Sequence, residues 1–256
     1  MYVISDYYKA SRDVIAFVAG YYEKLFLAEL LDQKISIQKW DVCHPRVVPK
    51  RLNPDMINMD VDYFVFLHSN DNMWSQNIYQ LAHEYSHVVM GCYPNNERLE
   101  WISESLCESA SIHLLRIANV FFERYSPRYA GANQKYLDDL LSERPTLDFQ
   151  GIYYFIRDNM EYLECDAIES NVDGRPRNDT IGKYWAGFIN VNTNGWKAIR
   201  HFSSSKIIET DRFHFLSSWF NCCVNEDERM FVRSVAETII GKADFIKLVQ
   251  ISDIRE

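Results

Sequence analysis

Nine glycines and seven prolines in 256 residues are too few for a collagen-like or linker-dominated chain. Positive charge is scarce as well: 27 Lys and Arg stand against 36 Asp and Glu, a formal charge of −9. Broad nucleic-acid binding draws on Lys and Arg to neutralise phosphates, so no nucleic-acid partner is expected. Long hydrophobic runs are missing. The longest, such as 14–22, is about nine residues, against the roughly twenty that a membrane-spanning helix needs, and no membrane partner is expected. The N-terminus, M-Y-V-I-S-D-Y-Y-K-A-S-R-D, has no basic segment followed by an apolar one, so a secretory signal is not expected. The six cysteines (Cys43, Cys92, Cys107, Cys165, Cys222 and Cys223) form no C-x-x-C pair. That excludes a zinc ribbon or knuckle and points to free, mostly buried thiols in a reducing compartment, the cytoplasm.

What the chain does have is a globular composition: 47% apolar, 25% charged and 14% aromatic residues. Its length suits one large domain or two lobes. Helical spacing of Val14, Ile15, Val18, Tyr21, Tyr22, Leu25 and Phe26 predicts one long helix over 6–32. Residues 35–60 hold Pro45, Pro49 and Pro54 and read as loops with short strands. V-D-Y-F-V-F-L-H, 61–68, is the best strand. S-N-D-N, 69–72, supplies helix N-cap residues. A helix is then expected from Met73 to Met90 with Gly91 as its C′ stop, and a second from Asn96 to Tyr125, ended by Ser126-Pro127. Weaker helical patterns cover 132–143, 148–165, 179–190, 194–203, 211–223 and 226–240, while 170–179 reads as the clearest loop. The fold class is α+β, mostly helical, with a small N-terminal sheet.

Residues 83–87, His83-Glu84-Tyr85-Ser86-His87, form an H-E-x-x-H motif. On a helix, i and i+4 lie one turn apart on one face, so both imidazoles can converge on one ion. Glu84 can reach a water held there and act as general base. Ile78, Leu81, Ala82, Tyr85, Val88 and Val89 form an apolar stripe, with His83 and His87 roughly opposite. A catalytic zinc keeps three protein ligands and an open position. Glu104, separated from His87 by sixteen residues, can supply the third from the second helix; Glu108 and Glu100 are the next candidates. On that helix Ile102, Leu106, Ala110, Ile117 and Val120 are expected to share an apolar side. Glu104, Glu108 and Ser111 would share the other, with Glu108 placed to hydrogen-bond a ligating His.

These two segments resemble the gluzincin zinc metallopeptidases, in which H-E-x-x-H is followed on the next helix by a ligating Glu. W-I-S-E-S-L-C-E, 101–108, is similar to the W-L-x-E-G-x-A motif of aminopeptidase-like members. Covering roughly residues 61–112, the resemblance implies a zincin-like metalloprotease fold. It implies one Zn2+ on His83, His87 and Glu104, with Glu84 as catalytic base and a peptide or protein as substrate. It further implies that the strand before the first helix, 62–68, holds the extended substrate along its edge. The expected lobes are 1–92, with the edge strand and the H-E-x-x-H helix, and a helical 93–256 carrying the third ligand. Tyr153, Tyr154, Tyr184, His201 and His214 are candidates for stabilising an oxyanion. His113 reads as a core histidine, Phe213 to Phe220 as core, and Asn225 to Arg229 as a solvated helix start. A second reading is a metallopeptidase-like binding or regulatory module with weak catalysis.

Overall fold

A computed structural model describes the chain except Met1, Asp6, Tyr8, 41–43, 53–58, Asp71, 93–96, Ser170, 204–210 and 254–256. The side chains of Ala10, Glu97, Tyr125, 165–174 and 251–253 also lie outside the described set. The helix start expected at Asn96, and Cys43, fall outside it, as does the side chain of Cys165. Two compact units form: 1–92 with 110–143, and 93–109 with 144–256.

The first unit holds a four-stranded sheet: β1 (Tyr2–Ile4), β2 (Ile35–Lys39), β3 (Arg46–Pro49) and β4 (Tyr63–Leu67), in the order β1-β2-β4-β3. β1, β2 and β4 run parallel, with Ile35 opposite both Tyr2 and Tyr63. β3 is antiparallel to β4, with Val47 opposite Val65. The strand expected at 61–68 is therefore present as β4, but it is not an edge. It is paired on both sides, and the outer strands are β1 and β3. Phe64, Val65, Phe66 and Leu67 are all buried, and an uninterrupted apolar run buried on both faces belongs in the interior of a parallel sheet. β1 was not foreseen, since three residues are too few to show a period.

α1 (Lys9–Leu25) and α2 (Leu27–Leu30) replace the single helix expected over 6–32. Phe26 leaves helical geometry with φ −119° and ψ 42°, and its ring is fully buried, so tertiary burial overrides a continuous helical pattern. α3 (Trp74–Val89) follows β4. α4 (Glu100–Tyr125), preceded by a short 3-10 turn at Glu97–Leu99, passes from the second unit to the first after Ser109. α5 (Pro127–Ser142) completes the first unit, with its proline in the first turn, where no N–H is needed. Asn133 Nδ2 donates to the Leu115 carbonyl across 2.8 Å, tying α5 to α4.

α4 departs from the one-sided pattern. From Trp101 to Leu115 every residue but Glu104 is buried, while Val120 is exposed. Its serines make this possible, because they are small and their hydroxyls return to carbonyls: Ser103 to Glu100 at 2.9 Å and Ser109 to Ser105 at 2.6 Å.

In the second unit lie α6 (Phe149–Asp158), α7 (Met160–Glu169), α8 (Asn171–Val191), α9 (Arg212–Cys222), α10 (Glu226–Ile240) and α11 (Lys242–Asp253), with a 3-10 segment at Gly195–His201. α8 overturns the loop expected at 170–179. The polar residues there anchor a helix: Arg177 reaches Asn159 Oδ1 at 3.2 Å, and Asp179 pairs with Arg144 at 3.2 Å. Asn225 caps α10 by accepting from the Glu228 N–H at 3.0 Å. Glu228 is not solvated as expected. It is fully buried and meets Arg200 at 2.7 Å and His201 at 3.1 Å. Phe215, Leu216 and Trp219 are core, while Phe213 and Phe220 are half-buried. Cys92, Cys107 and Cys223 are buried and Cys222 is half-buried. Among the described residues no helix is long and apolar enough to cross a membrane.

Candidate metal centre

α3 is built as its sequence dictates. Ile78, Leu81, Ala82, Tyr85, Val88 and Val89 are buried, and His83 and His87 are only half-buried. Its C-terminus closes in a Schellman motif. Gly91, at φ +85°, donates to the Val88 carbonyl at 3.0 Å, and the Cys92 N–H reaches the His87 carbonyl at 2.7 Å. The turn carrying His87 is thereby fixed.

At the other end the capping position falls on Met73, with no side-chain cap, instead of on S-N-D-N. The helix is held there by its neighbours. The Gln80 amide accepts from the His68 N–H and donates to the His68 carbonyl, both at 2.9 Å, clipping α3 to the end of β4. Ser69 hydrogen-bonds Asn77.

A buried brace sets the rotation of α3. The Tyr22 hydroxyl of α1 donates to the Ala82 carbonyl at 2.7 Å and lies 2.7 Å from Ser86 Oγ, which itself reaches the Ala82 carbonyl at 2.9 Å. The Tyr22 and Tyr85 rings meet edge-on at 5.4 Å. These contacts hold the helix on the side away from His83 and His87. The two imidazoles stand on one face as expected, ring centres 5.1 Å apart and planes at 65°. Glu84, between them in sequence, is 5% exposed. Burial raises the Tyr85 phenol well above its ordinary value, so this residue is a packing group.

α4 meets α3 through Ser111, whose hydroxyl donates to the Tyr79 carbonyl at 2.9 Å. One turn back along α4 is Cys107, and one turn forward along α3 is His83. Among the described residues, one group of potential metal ligands forms: the ligand atoms of His83, His87 and Cys107 all lie within 4.8 Å of one another. Glu104 is half-buried on α4, three residues before Cys107.

Glu108 has a partner other than the expected histidine. Its carboxylate meets Arg144 Nη1 at 2.5 Å, with side-chain exposures of 2% and 7%. Lys183 Nζ donates to the Arg144 carbonyl at 2.8 Å and to Thr146 Oγ1 at 2.9 Å. A methyl at Gly182 would come within 2.6 Å of the Glu108 stem, so α8 needs glycine there to accept the carboxylate.

No family model, curated protein or solved structure matches this chain. The chemistry of the site therefore rests on its own donors.

Two imidazole nitrogens and a thiol sulfur suit a borderline-soft ion such as Zn2+. Tetrahedral bonds of about 2.0–2.1 Å to nitrogen and about 2.3 Å to sulfur put such donor atoms about 3.3–3.6 Å apart. A group within 4.8 Å reaches that spacing by side-chain rotation of about 1 Å, so the donor set fits the ion.

The remaining candidates lie in the second unit. Tyr153 and Tyr154 have ring centres 5.5 Å apart, and Tyr184 packs on Phe188 at 5.4 Å. His201 meets Glu228, and His214 meets Asp211 at 3.0 Å. His113 is a buried core histidine, 3.0 Å from the Tyr21 hydroxyl.

Cys107 escaped the sequence reading because a lone cysteine without a C-x-x-C partner reads as a small core residue. Its spacing held a signal all the same: it lies one turn before Ser111 and three residues after Glu104, on the helix expected to carry the third ligand.

Proposed function

We propose that this protein is a zinc-dependent peptidase of the cytoplasm, acting on a peptide or protein substrate. The observation that carries the reading is the pair His83 and His87 on one half-buried face of α3, with the Glu84 carboxylate in the intervening turn and a further donor on α4. His83 and His87 would hold the ion, with Glu104 or Cys107 supplying the third donor. Zinc, when bound in such a site, polarises a carbonyl oxygen and brings the pKa of water near 7.

Glu84 takes a proton from the attacking water and returns it to the leaving amine. Its low exposure, 5%, keeps the carboxylate out of bulk water. The Schellman closure at Gly91, the Gln80 clip and the Tyr22 brace hold the imidazoles in phase. An extended substrate would pair with β3, the outer antiparallel strand next to β4, on its side away from β4.

The test uses the zinc-loaded protein, a peptide library and a chelator control. Chelator-sensitive cleavage is expected. Glu84→Gln is expected to keep its zinc by elemental analysis and to lose hydrolysis. Full activity in Glu84→Gln would sink the mechanism, and unchanged metal content in His83→Ala would reject the site.

A further inference from the structure

We infer that Arg46, at the head of β3, reads a carboxylate of the substrate, so that the preferred peptides carry Asp or Glu next to the residue that bonds Val47. The inference rests on the peptidase reading, with β3 as the pairing strand, and deepens it by naming the substrate class.

The guanidinium is held on a built platform within the first unit. It lies 5.8 Å from the ring centres of both Trp40 and Phe66, inside the roughly 6 Å over which an aromatic face holds a cation. The two rings are 4.7 Å apart. Trp40 is fixed on both sides of its backbone: its N–H donates to the Leu67 carbonyl at 2.9 Å, and its carbonyl accepts from His68 Nδ1 at 3.1 Å. Charge points the same way. Residues 42–54 hold Arg46, Lys50 and Arg51 and no Asp or Glu, in a chain of net charge −9. Arg46 is exposed, and among the described residues its contacts are the two rings, with no carboxylate. Asp62 is four residues, about 13 Å, along the strand from Phe66 and accepts from the Lys34 N–H at 2.8 Å.

Strand register sets which substrate residue meets Arg46. The Trp40–Leu67 bond turns the backbone groups of Leu67 to β2, so by alternation Phe64 and Phe66 turn theirs to β3. Their partners Val48 and Arg46 bond β4 in return, and Val47 directs its N–H and C=O away from β4. Pro45 and Pro49, two residues to either side, have no N–H to offer, so pairing centres on Val47. A peptide bonded there has the next residue opposite Arg46, on the same face of the sheet and within reach of a long side chain. Stacking uses the flat face of the guanidinium and leaves its N–H edge for the two oxygens of one carboxylate. Gln in place of Glu loses the charge and the second bond.

End-blocked peptides that differ only by Glu, Gln or Lys at one position, scanned along their length, test this with the zinc-loaded full chain. At one position kcat/KM is expected to be at least about 10-fold higher for Glu than for Gln, the size of a charge-assisted hydrogen bond, and the ratio should shrink at high salt. This comparison needs no variant. Arg46→Met, whose stem still covers the rings, should bring the ratio near one, Arg46→Lys should keep part of it, and Arg46→Glu should favour the Lys peptide. Each ratio is taken within one protein, so differences in folding or zinc content cancel. Equal cleavage of the three peptides at every position, or an unchanged ratio in Arg46→Met, overturns the inference and leaves the peptidase reading standing. Cleavage of no peptide overturns the peptidase reading, and fluorescence anisotropy of the same peptides, labelled with a dye, then decides Arg46. Tighter binding of the Glu peptide that Arg46→Met abolishes supports the carboxylate contact, and equal binding of the Glu and Gln peptides overturns it.

Discussion

Glu108→Gln removes the negative half of a buried ion pair while keeping the shape of the side chain. Glu108 and Arg144 are 2% and 7% exposed and meet at 2.5 Å. Breaking such a pair by neutralising one partner costs about 3–5 kcal/mol, because the other charge stays behind without compensation. Arg144 is not left wholly alone, since Asp179 sits 3.2 Å from its other nitrogen, but that carboxylate is 21% exposed and part of its field is spent on water. The loss should therefore fall at the low end, about 3 kcal/mol. For a chain of this size that is a drop in Tm of roughly 6–12 °C. Thermal and urea unfolding followed by circular dichroism reads it directly. Arg144→Met alone should cost a similar amount, because it takes the ion-pair partner from the buried Glu108 carboxylate. The double variant Glu108→Leu/Arg144→Met should recover most of the loss, since buried pairs exchange for apolar groups at little or no cost. Glu108→Gln within about 0.5 kcal/mol of wild type, the range of an ordinary surface substitution, would refute the reasoning.

Other expectations follow from single contacts. Gly182→Ala puts a methyl 2.5 Å from Glu108 Cγ and 3.0 Å from the Ser105 carbonyl; it should cost about 1–3 kcal/mol by overpacking, measured by urea unfolding. Tyr22→Phe removes one buried hydrogen bond but leaves Ser86 on the Ala82 carbonyl; about 1 kcal/mol is expected, with zinc affinity by chelator competition showing whether the brace also orients the histidines. Gly91→Ala forces a side chain into the left-handed region at φ +85° and should cost about 1–2 kcal/mol in the same unfolding assay. Burial pushes the Cys223 thiol from 9.0 up to about 12. The unfolded thiol loses its proton first, so this contribution to stability is whole below pH 9 and is lost as pH rises towards 12. At pH 8 an alkylating reagent should modify half-buried Cys222 well before Cys223, and mass spectrometry of the labelled peptides reads the order.

The motif helix was legible because its signals are local. The 3.6-residue period, the i, i+4 histidines and Gly91 are each read within one segment, and the structure places Trp74–Val89 within a residue of the expected helix. β4 was legible as a strand but not as a central one, because the neighbours that pair with it come from residues 35–39 and 46–49. Sequence cannot show which side of a strand is already occupied. The 170–179 segment was misread for a related reason: its turn-forming residues are held in α8 by Asn159 and Arg144, partners distant along the chain.

The sequence by itself determined the helical class, the absence of long apolar spans and the presentation of His83 and His87 on one face, since composition and helical period require no partner. Only the tertiary structure decided that β4 is flanked on both sides and that Glu108 belongs to Arg144. Each of those depends on the packing of one element against another. A shift of one residue along α4 turns its side chains by about 100°, and contacts such as Ser111 on Tyr79, not the local pattern, set how that helix is turned.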